Sequence, residues 1–312
     1  MHNNNIQTEK PAANNTAWQP PVGAADKPKP PVIKTIGIIL GTYVGYFLVQ
    51  IIANRLIKAN GYVGQFLVAV PIFVFMVAMM ILIGKKKALL TNGNGFWGGL
   101  LTGGFIVYSS VMAVVQVFLN IDREKNTMEF KVPEGMSFGT EQIWCILAML
   151  LSAGICEELM FRGIIYNTLR DAFGRNTVKG TFAAVFVSGA LFGMMHFLNL
   201  TGGVPFRVVL IQVVSTMGMG IFFAAIYSRW GNLKVTMFLH FLMDICMVLP
   251  VSMQSSSDLS DSITETMDNP MKFMALPLYI GLALFVMRKS VRHEMFTYSV
   301  DDDVHEMVNA PA

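Results

Sequence analysis

The stretch Cys156-Glu157-Glu158-Leu159-Met160-Phe161-Arg162 decides how this chain is to be read. Before it runs Ile146-Leu147-Ala148-Met149-Leu150-Leu151 and after it Gly163-Ile164-Ile165-Tyr166, so two carboxylates and a guanidinium sit in a helix whose flanks suit lipid. A charged residue at the centre of a membrane helix costs about 2.5–3.5 kcal/mol. Three of them, unpaired, would cost on the order of 8–10 kcal/mol, comparable with the whole stability of an ordinary domain. They must pair with one another, face a polar cavity, or both. The expectation is one half of an intramembrane active site.

Working outward, the whole chain has the same character. Of its 312 residues 54% are hydrophobic and only 14% charged, which excludes an ordinary soluble domain and indicates a polytopic membrane protein. The net charge of +3 comes from basic residues scattered near helix ends, with no stripe that would suit nucleic acid. Cys145, Cys156 and Cys246 all lie in apolar runs and read as buried thiols, not as a disulfide framework or thiolate metal site. Residues 1–31 are rich in Asn, Ala and Pro, with no apolar core, and read as a disordered cytoplasmic tail. The first apolar segment reads as an uncleaved signal anchor. Residues 32–290 form the expected membrane domain, and 291–312, ending beyond Asp301-Asp302-Asp303, a second cytoplasmic tail.

Eight apolar runs reach spanning length: Ile33–Ala53, Phe66–Ile83, Phe96–Leu119, Ile143–Leu169, Thr181–Leu198, Val204–Tyr227, Leu233–Val251 and Phe273–Met287. The expected fold class is thus an all-α membrane protein of about eight transmembrane helices. Counting Lys and Arg in the flanking loops puts Lys85, Lys86, Lys87, Arg170, Arg175 and Arg229 on one side, against Arg55, Lys58 and Arg123 on the other. By the positive-inside rule both termini are cytoplasmic. The loop bearing Asp258, Asp261, Glu265 and Asp268 then lies outside, and acidic residues contribute little to that choice.

Few ionisable residues lie deep in these runs: Glu157, Glu158, Arg162, His196, His240 and Asp244, confined to the fourth, fifth and seventh. Glu158 and Arg162 are four apart with the acid first, the favourable order for a helical pair. Glu157 lies about 100° round an α-helix from Glu158, free to face a neighbouring helix. Phe192 with His196, and His240 with Asp244, repeat the spacing of four. A His–Asp pair so spaced can orient an imidazole or chelate a metal. Counting about 1.5 Å per residue brings His240 and Glu157 to meeting depth in the cytoplasmic half, but sets His196 too deep if its helix enters at Thr181. Phe161 and Phe192 read as packing residues.

These three motifs, Glu157-Glu158-x-x-x-Arg162, Phe192-x-x-x-His196 and His240-x-x-x-Asp244, in that order, resemble those of the CPBP (CAAX protease and bacteriocin-processing), or Abi, family of intramembrane proteases. The resemblance covers residues 141–251. It implies an eight-helix fold with a cavity open to cytoplasm and bilayer, and an endopeptidase. It implies Glu157 as the general base that activates water, helped by His196, with His240 and residue 244 stabilising the oxyanion and Glu158 and Arg162 supporting the site.

One position departs from the pattern. Prenyl-protein-processing members carry Asn where this chain has Asp244, and an ionised Asp cannot donate to an oxyanion. Asp244 is left to orient His240 or to bind a metal. The family has been described both as metalloproteases and as metal-free glutamate proteases. No cofactor is assigned; if a metal such as zinc is used, Glu157, His196, His240 and Asp244 are the candidate ligands. The partners expected are a peptide or lipidated-protein substrate and membrane lipid, in a bacterial plasma membrane. Two rival classes fit the same residues. A proton-coupled transporter would use them as a relay, though transporters commonly show paired, repeat-related broken helices, and here the charges sit in one half of the chain. A non-catalytic scaffold or immunity protein would keep the fold without the chemistry.

Overall fold

A computed structural model describes residues 28–90, 95–122, 127–133, 135–253 and 268–296. The first 27 residues, most of the acidic loop and the Asp301–Asp303 run lie outside the described residues. Among the described residues six helices are long and apolar enough to span a membrane: α1 (Val32–Leu56), α2 (Gly61–Leu82), α6 (Thr140–Phe173), α7 (Val178–Met195, continued by a 3₁₀ turn to Gly202), α8 (Phe206–Trp230) and α9 (Leu233–Ser252). Between them lie a short α3 (Lys87–Leu90) and the pair α4 (Phe96–Thr102) and α5 (Gly104–Phe118). A last helix, α10 (Ala275–Val286), stands between 3₁₀ turns Pro270–Met274 and Lys289–Phe296. The count reaches eight if each bent pair is one span. Among the described residues the strands form a two-stranded ribbon, β1 (Leu119–Asp122) with β2 (Thr127–Phe130).

The third expected span, read from sequence as one helix, is broken: α4 and α5 meet at 61°. The break falls at Gly103, where a Cβ would stand 2.3 Å from Leu239 Cδ1. Glycine there admits α9 against the bend, one residue before His240. The expected fifth span is likewise fixed by small residues. A Cβ on Gly189 would lie 2.4 Å from the backbone N of Ile221, and one on Gly193 2.6 Å from Val213 O. This Gly-x-x-x-Gly edge lets the backbones of α7 and α8 approach closely, as lipid-solvated helices need when no hydrophobic effect drives them together.

The centre of the bundle is α8, whose stretch Gly218–Ser228 is buried without interruption. α6 runs beside it, buried from Leu159 through Arg170. At one end of the bundle the polar residues tie elements together: Lys85 reaches Asp171 at 2.7 Å, Asp171 also pairs with Arg175, and Arg229 holds Glu294 at 2.6 Å. Arg170 donates to Met295 O at 2.6 Å. Residues 291–296, read from sequence as the start of a tail, therefore pack on the bundle, with Met295 fully buried. At the other end Glu141 accepts from the Tyr62 N–H at 3.3 Å, occupying one of the orphan donors at the start of α2.

Candidate active site

The charged stretch around Glu157 and Glu158 is not regular α-helix. Residues Leu150–Glu157 and Leu159–Tyr166 of α6 form widened π-type turns, a geometry that is rare and concentrated at functional sites. Asn167 closes this segment. Its amide donates to Arg162 O at 2.9 Å and Gly163 O at 3.0 Å, so carbonyls of the widened helix do not stay unpaired in a dry interior.

The pairing expected from spacing is present. Arg162 Nη1 donates to Glu158 Oε1 at 2.6 Å, and both side chains are sealed, at 1% and 0% exposure. The second Arg162 amino group donates to Gly220 O on α8 at 3.1 Å. The guanidinium lies over the rings of Phe192 and Phe223, 4.8 and 5.3 Å from their centroids. One cation is thus held by a carboxylate, a carbonyl and two aromatic faces.

His240 enters the same cluster from α9. Its Nδ1 lies 2.9 Å from Glu158 Oε1. Because Glu158 is the carboxylate paired with Arg162, Nδ1 carries a proton and donates, which fixes the orientation of the ring. Nε2 points the other way, 3.9 Å from Glu157 Oε2 and 3.6 Å from Asp244 Oδ2. Those two carboxylates are 18% and 27% exposed, whereas the His240 side chain is at 3%. Glu158 holds Nδ1, and Asp244 stands beside Nε2 at 3.6 Å, beyond hydrogen-bond distance.

His196 sits at the C-terminal end of α7. Its Nδ1 lies 3.1 Å from Phe192 O and 3.4 Å from Thr216 Oγ1. A carbonyl only accepts, so here too Nδ1 bears the proton and Nε2 is free. The hydrogen bonds of His196 do not run to Glu157 or His240. The two histidines are instead joined through Phe192, whose buried ring meets each edge-on at 5.4 and 5.6 Å. The two rings thus lie close together in the bundle, although the helix of His196 starts at Val178 behind the Thr177 cap, three residues before Thr181.

Five of the six predicted residues, Glu157, Glu158, Arg162, His240 and Asp244, thus converge around one imidazole, with His196 adjacent across Phe192. The candidate metal set does not converge in the same way. Among the described residues no group of three or more His, Cys, Asp or Glu side chains is placed to hold a metal ion. Sequence reasoning missed Gly220, Thr216 and Asn167. Each acts through a contact between helices, or through the widened turn, for which a single sequence carries no signal.

Fold and site together define a multi-pass helical membrane protein with a buried ionisable cluster where three helices meet. Residues 139–246 match the family model described as Type II CAAX prenyl endopeptidase Rce1-like, the family that the three motifs resemble. The match spans about a third of the chain and contains all six site residues. It supports a CAAX-type intramembrane protease, and lends nothing to the transporter or scaffold readings. No curated protein and no solved structure matches the chain.

Proposed function

We propose that the protein is an intramembrane endopeptidase in which Glu157 activates a water molecule and His240 Nε2 serves the oxyanion. The observation that carries this reading is the asymmetry of the His240 ring. Nδ1 is locked by a sealed, charge-compensated Glu158, and Nε2 is presented to two accessible carboxylates. A general base must be accessible to water and substrate, and Glu157 is; an oxyanion donor must be preorganised, and His240 is.

In this mechanism Glu157 takes a proton from water as the oxygen attacks the scissile carbonyl carbon. The oxyanion accepts from the Nε2–H of protonated His240. Collapse of the tetrahedral intermediate breaks the C–N bond, and Glu157 returns the proton to the departing amine. Asp244 flanks Nε2 and opposes the positive charge of the protonated ring. His196 offers its free Nε2 from across Phe192 to help position the water. No step is routed through a metal.

By the Lys and Arg distribution, the end bearing Lys85, Arg175 and Arg229 faces the cytoplasm, with both termini, and the site opens towards that face and the bilayer. The substrate classes that suit it are a lipidated C-terminal peptide, a leader peptide and a transmembrane segment of a regulatory protein, in a bacterial plasma membrane. The test is cleavage of a prenylated C-terminal peptide and a leader-peptide pool by protein in nanodiscs, comparing wild type with Glu157→Gln and His240→Ala. Cleavage abolished by both substitutions and indifferent to chelator is the expected result. Cleavage that survives both would overturn the site, and cleavage lost on chelation alone would overturn the metal-free route.

A further inference from the structure

The ribbon β1–β2 begins at the residue after α5 ends. Its register pairs Leu119 with Phe130 and Ile121 with Met128, and between them Asn120 with Glu129 and Asp122 with Thr127. Residues directly opposite in an antiparallel pair share a face, and faces alternate along each strand. On β2 one face is therefore Met128 and Phe130, with Leu119 beside Phe130 from β1, and the other is Thr127 and Glu129. The alternation continues past β2 through Lys131 to Val132.

The Met128/Phe130 face is open to the surroundings. All of β2 is exposed, with Met128 at 67%, Phe130 at 71% and Val132 at 65%. The ties nearest the ribbon's base are local: Lys131 N–H donates to Phe118 O at 2.9 Å, and the Phe118 and Phe130 rings stack at 6.3 Å. A two-stranded hairpin is at best marginal in water, and a one-sided apolar face of this kind marks an interaction surface.

We infer that the ribbon lies in the membrane interface, with the Met128/Phe130 face in the lipid and the Thr127/Glu129 face in water. Continuity selects lipid as the occupant. The ribbon starts where an apolar span stops, and four-residue strands reach only about 13 Å. The headgroup layer is itself about 5–7 Å deep on each side of the hydrocarbon. Lying flat keeps Phe130 and Met128 at one depth, whereas standing upright would carry Met128 towards water. Because α5 packs along α9, which bears His240 and Asp244, an anchored ribbon would set the height of α5 beside the site.

The test is a scan of single cysteines at Thr127, Met128, Glu129 and Phe130, each labelled with an environment-sensitive fluorophore. Cys145 and Cys156 are buried, so only Cys246 need be replaced, by alanine. The protein is reconstituted at one copy per phosphatidylcholine nanodisc and quenched by shallow nitroxide lipids or by aqueous iodide. The expected result is alternation: positions 128 and 130 quenched several-fold more by lipid, positions 127 and 129 more by iodide. Equal behaviour at all four positions overturns the inference. So does protection of 128 and 130 from both quenchers, which would mean burial against protein. If Cys246→Ala does not fold, a spin-label scan with the Cys246 signal subtracted gives the same contrast.

Discussion

On its Nδ1 side the His240 ring meets Glu158, sealed from solvent and tied to Arg162; on its Nε2 side it meets Glu157 and Asp244, partly open and at longer range. Glu157 and Glu158 are neighbours in sequence with the same chemistry, yet they occupy opposite environments. In the proposed mechanism that difference becomes a division of labour. Glu158 takes both Arg162 and His240 on Oε1 and so holds a ring, while its buried Oε2 has no hydrogen-bond partner among the described residues. Glu157 has no hydrogen-bond partner among the described residues and is partly exposed, as the proposed general base must be.

The largest effect is expected on the sealed side. Removing one partner of a buried ion pair leaves an uncompensated charge and typically costs about 3–5 kcal/mol. Glu158→Leu or Arg162→Leu alone should lower thermal stability in detergent sharply and abolish cleavage. The double substitution should recover much of the stability, because an apolar pair replaces an ion pair at little cost, but none of the activity, because His240 Nδ1 has lost its acceptor. Single variants with unchanged melting temperature would break the comparison.

On the open side the effect should fall on rate and spare stability. Glu157→Gln removes a group with no partner within hydrogen-bond distance among the described residues. Loss of a general base should lower kcat by on the order of 10²–10⁴. Melting in the same detergent should stay close to wild type. A variant that unfolds would show that Glu157 is structural, as Glu158 is.

How much of this was legible in the sequence depends on whether a contact lies within one helix or between two. Glu158–Arg162 could be read because a spacing of four brings the groups together on either an α or a wider turn. Helix existence could be read from apolar runs, and six long helices stand where runs were counted. The bend at Gly103 could not, because it answers to Leu239 on another helix. His240 with Asp244 has the same spacing as Glu158 with Arg162, yet it opens to 3.6 Å, since the ring is pulled round by Glu158 on α6. The local rule gave the pair, and a tertiary hydrogen bond decided which carboxylate orients the imidazole. The π-type turns were likewise invisible, since sequence periodicity over so few residues does not separate them from α-helix.

Asp244→Asn sharpens the open side further. It keeps the shape beside Nε2, removes one negative charge and adds a donor. If Asp244 acts by opposing the charge on His240, the substitution should lower kcat by about tenfold, the size expected for one modest electrostatic contact. Stability should change by less than about 1 kcal/mol, since the side chain is partly exposed and makes no short bond. A gain in rate would instead show that an amide donor to the oxyanion is worth more than the carboxylate beside the ring.

The smallest effect is expected at His196, where Nδ1 is held by the carbonyl of Phe192 and only secondarily by Thr216. Thr216 already donates to Gln212 O at 2.7 Å, so its oxygen can only accept from His196, at the long end of hydrogen-bond range. Thr216→Val, which is nearly isosteric, should therefore cost at most about 0.5–1 kcal/mol in stability. It should leave kcat within a few-fold of wild type, because the carbonyl alone keeps the proton on Nδ1. A drop of about tenfold or more would mean that Thr216 controls the tautomer and that His196 is held by a side chain, as His240 is. The two histidines would then share one design, and the contrast between a ring fixed by backbone and a ring fixed by a sealed ion pair would fail.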